Sequence, residues 1–68
     1  MSKRYLFNIG SGSTMNGVMF AGPKTYETRL VSGAWIKTAG ENPHEARDKQ
    51  AKVAASLGQR LDGPTQEV

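Results

Sequence analysis

Apolar and polar positions alternate with period two from Lys3 to Ile9, placing Tyr5, Phe7 and Ile9 on one side and Arg4, Leu6 and Asn8 on the other. That pattern predicts a half-buried strand whose first set faces the core. The run Gly10-Ser11-Gly12-Ser13-Thr14, continuing through Asn16-Gly17, is small, polar and glycine-rich. Ordering it costs much backbone entropy, so it reads as a mobile turn joining two antiparallel strands. The second strand is short, Val18 to Phe20, and Gly22-Pro23 stops it because proline offers no N–H to a ladder. From Tyr26 to Thr38 the chain is rich in β-branched and aromatic residues, with Ser32-Gly33 in the middle as a hairpin turn or a bulge, the hairpin being favoured.

The period then becomes helical. Asn42 supplies an N-cap oxygen, Pro43 suits the first helical position, and Glu45 completes a capping box. Ala46, Gln50, Val53, Ala54, Leu57 and Leu61 follow at helical spacing as one face, while Glu45/Lys49 and Asp48/Lys52 are pairs four apart in the favourable order. Gly58 weakens the last turns and Gly63-Pro64 ends them. The architecture expected is α+β: a three- or four-stranded antiparallel sheet covered on one face by a single C-terminal helix. Residues 1–63 make one small domain and 64–68 a flexible tail. The second face of the sheet is left to water or to a partner.

With 68 residues and few large apolar side chains, one core can only just offset the entropy of ordering the chain. Self-association into a homodimer, or a bound partner, would add stability. There is no cysteine, which removes disulfides and thiolate ligands and favours a reducing compartment. No apolar run approaches the roughly 18 residues that span a bilayer, and Met-Ser-Lys-Arg-Tyr lacks the apolar stretch of a secretory signal. A soluble, cytoplasmic protein with no membrane contact is expected.

Charge placement says more than the net charge of +3. Up to Gly40, Lys3, Arg4, Lys24, Arg29 and Lys37 face a single acid, Glu27; from Glu41 onward four bases meet five acids. The positive field belongs to the first half.

The residues for catalysis are scarce. The one histidine, His44, falls in the first helical turn, where the dipole disfavours its protonation and a solvent-exposed role suffices. Without cysteine a transition-metal site would rest on Glu41, Glu45 and Asp48, which capping and lysine pairing already explain, so no metal is expected. The Gly10–Thr14 run has the look of a phosphate cradle but lacks the lysine and following helix of a P-loop. No cofactor and no enzymatic activity are expected.

Alternation along the strands turns Arg4, Asn8, Arg29, Trp35 and Lys37 outward together, with Ala34 and Ile36 inward. Cations neutralise phosphates and an aromatic ring stacks on a base, so this patch suits nucleic acid. Tryptophan and arginine also concentrate binding energy in protein interfaces, so a protein with an acidic surface suits it too. A register slip of one residue would instead bury Trp35 and leave the cations as solubilising groups. On the helix, Lys49, Lys52, Ser56 and Arg60 form a stripe that could follow a phosphate backbone, although Glu45 and Asp48 partly cancel it.

The stretch Gly22-Pro23-Lys24-Thr25-Tyr26, followed by two strands and a helix carrying Glu45-Ala46-Arg47, resembles the latter half of a double-stranded-RNA-binding domain. Such domains open with a helix that has no counterpart in this pattern, and their second helix starts with paired lysines where Pro43 and His44 stand. The strand-strand-strand-helix order is similar in architecture to the arm-binding domains of phage-type integrases. Two readings of function follow. The first is a small regulatory or accessory protein that binds nucleic acid through a basic sheet face. The second is a protein-binding inhibitor or adaptor, such as a phage-encoded anti-defence protein, which it resembles anti-CRISPRs in being tiny, cysteine-free and without a catalytic motif. A structural subunit whose sheet edges pair between chains is a third.

Overall fold

In the computed structural model, residues 3–8 and 22–68 are described. The glycine-rich turn from Gly10 to Gly17 and the strand from Val18 to Phe20, both read from the sequence, lie outside the described residues.

The β-branched and aromatic stretch folds as two antiparallel strands, β2 (Lys24–Arg29) and β3 (Trp35–Gly40), in register from Lys24↔Gly40 to Arg29↔Trp35. Between them the Leu30 N–H donates to the Ala34 carbonyl at 2.7 Å and the Gly33 N–H to the Leu30 carbonyl at 2.9 Å. Gly33 sits at φ +93°, open to glycine without a Cβ penalty, so Ser32-Gly33 is a hairpin turn.

The other edge of β3 is taken by β1 (Tyr5–Asn8), which runs parallel to it, and the sheet order is β1-β3-β2-β4. The sheet is therefore mixed, where a purely antiparallel one was expected. Alternation specifies which face a side chain takes but not the strand's direction, since the period is two in parallel and antiparallel strands alike.

Helix α1 (Pro43–Ser56) starts as capping chemistry dictates: Asn42 Oδ1 accepts from the Glu45 N–H at 2.8 Å with Pro43 in the first turn. The Glu45 carboxylate reaches past the cap residue to the Glu41 N–H at 3.4 Å. The helix stops at Ser56, earlier than its apolar spacing suggests. Gly58 adopts φ +71° and the Gln59 N–H closes back on the Ala54 carbonyl at 2.7 Å, a left-handed stop that turns the chain toward the sheet. Leu61 then bridges Leu30 from an extended segment instead of a helical turn. The stretch 64–68, expected as a flexible tail, contains a short edge strand, β4 (Gln66–Glu67), antiparallel to β2, and the Val68 N–H donates to the Thr25 carbonyl at 2.8 Å.

α1 packs on β2 and β3. Leu30, Ala34, Ile36, Val53 and Ala54 form the apolar core, with Phe7 and Leu61 against it. Beside this core the fully buried Gln50 joins helix to sheet: its Nε2 donates to the Tyr26 carbonyl at 3.0 Å and to Thr38 Oγ1 at 3.2 Å, and its Oε1 accepts from the Thr28 hydroxyl. At the far end of the hairpin the backbones of Gly22 and Gly40 approach so closely that a Cβ on Gly22 would lie 2.6 Å from Gly40. Among the described residues no helix is long and apolar enough to cross a membrane.

Candidate functional site

Cross-strand partners share a face of the sheet. Thr28 pairs with Ile36 and Tyr26 with Thr38, and these sit on the side of Gln50 and α1. The opposite face therefore carries the pairs Arg29/Trp35, Glu27/Lys37 and Thr25/Ala39, with Tyr5 beside Trp35 and Asn8 beside Lys37 on β1. Four of the five patch residues read from the sequence, Asn8, Arg29, Trp35 and Lys37, thus come together, and Ala34 and Ile36 are buried on the inner side.

Tyr5 joins the outer face, not the helix side as alternation implied. A register irregularity between Tyr5 and Phe7 inverts the pattern, so that Phe7 goes to the core and Tyr5 away from it.

Glu27 is the organising group of this face. It is only 6% exposed, yet Lys3 Nζ donates to Oε2 and the Tyr5 hydroxyl reaches across β3 to donate to Oε1 at 2.5 Å. Burial pushes the Glu27 carboxyl up, but hydrogen bonds from Lys3 and Tyr5 and the charges of Lys3 and Lys37 outweigh it and hold its pKa below the ordinary 4.5. The same hydrogen bond, with burial and the carboxylate charge, pushes the Tyr5 phenol up to about 12. At neutral pH the pair is carboxylate and phenol.

The two rings carry cations. Lys3 Nζ lies 4.2 Å from the Trp35 ring centroid and Lys37 Nζ 4.9 Å from that of Tyr5. Trp35, Tyr5 and Lys37 are half-buried, while Asn8 and Arg29 are exposed. Arg29 approaches Asp62 at 4.0 Å with both side chains about half open to solvent, a weak pair.

Arg4 belongs elsewhere. Its carbonyl accepts from the Trp35 N–H at 2.7 Å, and it lines a cleft of about 370 Å³ with Leu6, Ser32, Gly33, Ala34 and Gln59 at the hairpin-turn end of the sheet. Of the helical stripe, Lys49, Lys52 and Ser56 lie on α1 and Arg60 lies past its end. Lys49 is tied to Glu45 at 3.1 Å and to the Ala39 carbonyl at 3.4 Å, Lys52 stands 4.0 Å from Asp48, and the Ser56 hydroxyl donates to the Val53 carbonyl. Arg60 lies past the helix end and lines a second cleft with Val31, Ser32, Gly58 and Gln59.

Sequence reasoning missed Lys3, Tyr5 and Glu27. The available signal was Glu27 itself, the lone acid of the basic half, placed between a tyrosine and a threonine in a strand. Among the described residues no three of His, Asp and Glu gather where they could hold a metal, and His44 is exposed at the helix start.

The fold and this face define a small α+β protein with a cationic, aromatic sheet surface organised around one carboxylate. Compared with models of protein families, with curated proteins and with solved structures, the chain matches none.

Proposed function

We propose that the protein binds nucleic acid through the sheet face turned away from α1. The observation that supports this is the pairing of each aromatic ring there with a lysine ammonium group: Trp35 with Lys3 and Tyr5 with Lys37. A partner that brings phosphates draws the ammonium groups off the rings and leaves the ring faces to bases. The exchange is favourable. A solvent-accessible cation–π contact contributes about 0.5–1 kcal/mol, whereas stacking a base contributes about 1–3 kcal/mol and each neutralised phosphate releases counterions as well. Glu27 stays in place and keeps the Tyr5 ring oriented through its hydroxyl. Arg29 and Asn8 flank the rings with further donors.

The test is a titration against single- and double-stranded DNA and RNA, followed by Trp35 fluorescence at two salt concentrations. Quenching that weakens steeply with salt supports the reading, and Trp35→Ala, which removes the one tryptophan and is therefore followed by the anisotropy of a labelled strand, should abolish most of the affinity while the circular dichroism spectrum is retained. No response to any nucleic acid at low salt would sink it.

A second reading, a protein-binding inhibitor or adaptor, is favoured by one feature: Glu27 neutralises part of the cationic face, and Tyr5, Trp35 and Arg29 are the residue types that anchor protein interfaces. Its signature is a stoichiometric complex that persists in moderate salt.

A further inference from the structure

Beyond the ring face, a groove runs around the β2–β3 turn. The cleft of Arg4, Leu6, Ser32, Gly33, Ala34 and Gln59 shares Ser32 and Gln59 with a neighbouring cleft of about 300 Å³ that Arg60 lines. No carboxylate lines either. Arg29 is paired with Asp62, and Arg47 donates to the Gly63 carbonyl at 2.8 Å and to Thr65 Oγ1 at 3.2 Å. Among the described residues, Arg4 and Arg60 are the two arginines without a side-chain partner, and both are on this groove.

Resting on the reading above, we propose that the nucleic acid is single-stranded and that its sugar-phosphate backbone lies in this groove, with phosphates held by Arg4 and Arg60. Guanidinium forks match phosphate oxygens in charge and geometry, and the Ser32 hydroxyl and Gln59 amide add neutral donors between them. The exposed Val31 gives the sugars an apolar surface. The carbonyls at the end of α1, whose negative dipole would oppose phosphate, are themselves occupied: Gly58 N–H donates to Ala55 at 3.1 Å and Gln59 N–H to Ala54 at 2.7 Å. Groove and rings meet at the start of β3: Ala34 lines the cleft from the inner side, Trp35 follows it on the outer face, and the Trp35 N–H is bonded to the Arg4 carbonyl. A strand whose backbone occupies the groove passes this end of the sheet and extends its bases around it to Trp35 and Tyr5. Only unpaired bases offer their faces to those rings, since a duplex keeps them stacked on each other.

The experiment uses the full chain and an oligothymidylate of about 8 nucleotides, a length within the usual range for one small domain. Affinity is measured by Trp35 quenching between about 50 mM and 200 mM salt for the wild type, Arg4→Gln, Arg60→Gln, the double variant and Lys52→Gln. Circular dichroism checks that each variant is folded. Each arginine variant should flatten the slope of log affinity against log salt by about 0.7, and the double variant by about twice that. Lys52→Gln, beside Asp48 on the exposed side of α1, should leave the slope unchanged. If folded Arg4→Gln and Arg60→Gln keep the wild-type slope while Trp35→Ala, followed by the anisotropy of a labelled oligothymidylate, loses binding, the groove is overturned and the ring face stands. If a duplex of the same length binds as tightly as the single strand, single-strand selection is overturned. If the wild type binds neither at low salt, the inference and the reading beneath it fall together.

Discussion

Replacing Glu27 by glutamine should weaken the fold and strengthen the binding face at once. The carboxylate accepts one hydrogen bond from Tyr5 and one from Lys3, whose side chain is 44% exposed. The amide keeps the shape but loses the charge and one acceptor oxygen, so the Tyr5 and Lys3 bonds must share one oxygen or one of them is lost, and a Tyr5 bond that remains is neutral. A hydrogen bond to a charged group contributes about 1.5–3 kcal/mol against about 0.5–1.5 for a neutral one. Lys3 is open to solvent, so its ion-pair share is under about 1 kcal/mol. The net loss is about 1–3 kcal/mol, and in a domain of this size each kcal/mol lowers Tm by about 4–8 °C. Thermal unfolding followed by circular dichroism at neutral pH and at about pH 3 reads this directly. Because the folded pKa of Glu27 lies below the ordinary 4.5, its stabilisation is present above that value and is lost as pH falls through the folded pKa. The gap between wild type and variant should therefore close on acidification. On the binding side, Lys3 no longer has to leave a carboxylate before it meets a phosphate, so affinity for a single strand should rise at each salt concentration with the slope unchanged. A neutral-pH Tm within about 2 °C of wild type, or a gap that persists in acid, would refute the reasoning.

The Tyr5 phenol, raised from 10.0 to about 12, contributes stability that is fully present below the unfolded value and lost as pH rises toward 12. Tyr5→Phe should remove that alkaline slope, read from urea midpoints across the range, and an unchanged slope would count against the Tyr5–Glu27 bond. Gly22→Ala should lower the urea midpoint with no change in m, by about 1–3 kcal/mol, because its Cβ would fall 2.6 Å from the Gly40 backbone and nothing flexible can yield there. A midpoint equal to wild type would place Gly22 away from Gly40.

What was legible in the sequence is what local chemistry decides. Asn42 and Pro43 start the helix because a cap satisfies orphan N–H groups within three residues. Ser32-Gly33 turns the hairpin because a positive φ suits glycine. Trp35 and Lys37 face outward because the alternation from Ala34 to Ile36 holds on a strand without a bulge. Where a distant segment decides, the pattern was silent. The direction of β1 is not encoded in a period of two, and the irregularity after Tyr5 changes faces without changing composition. Gly58 was visible as a weak helix residue, but its left-handed stop depends on Leu61 returning to Leu30, and with that return Arg60 leaves the helical stripe. Glu27 was visible as a lone acid. Its burial could not be read, because its partners Lys3 and Tyr5 come from a strand two positions away in the sheet.

The two faces of the sheet are mechanically connected through β2. On the helix side Gln50 fixes the Tyr26 carbonyl and the Thr28 hydroxyl, and Thr28 Oγ1 lies 2.7 Å from Thr65 Oγ1, which also accepts from Arg47. Glu27 sits between those two residues with its side chain on the other face. Among the described residues two of the five in the apolar cluster are alanines, and directional hydrogen bonds add a definition there that small side chains do not. The position of the carboxylate is thus set from behind, and through it the orientation of the Tyr5 ring and the reach of Lys3 to Trp35. A face whose rings are already spaced by a buried network pays little further ordering on meeting a partner of the kind proposed.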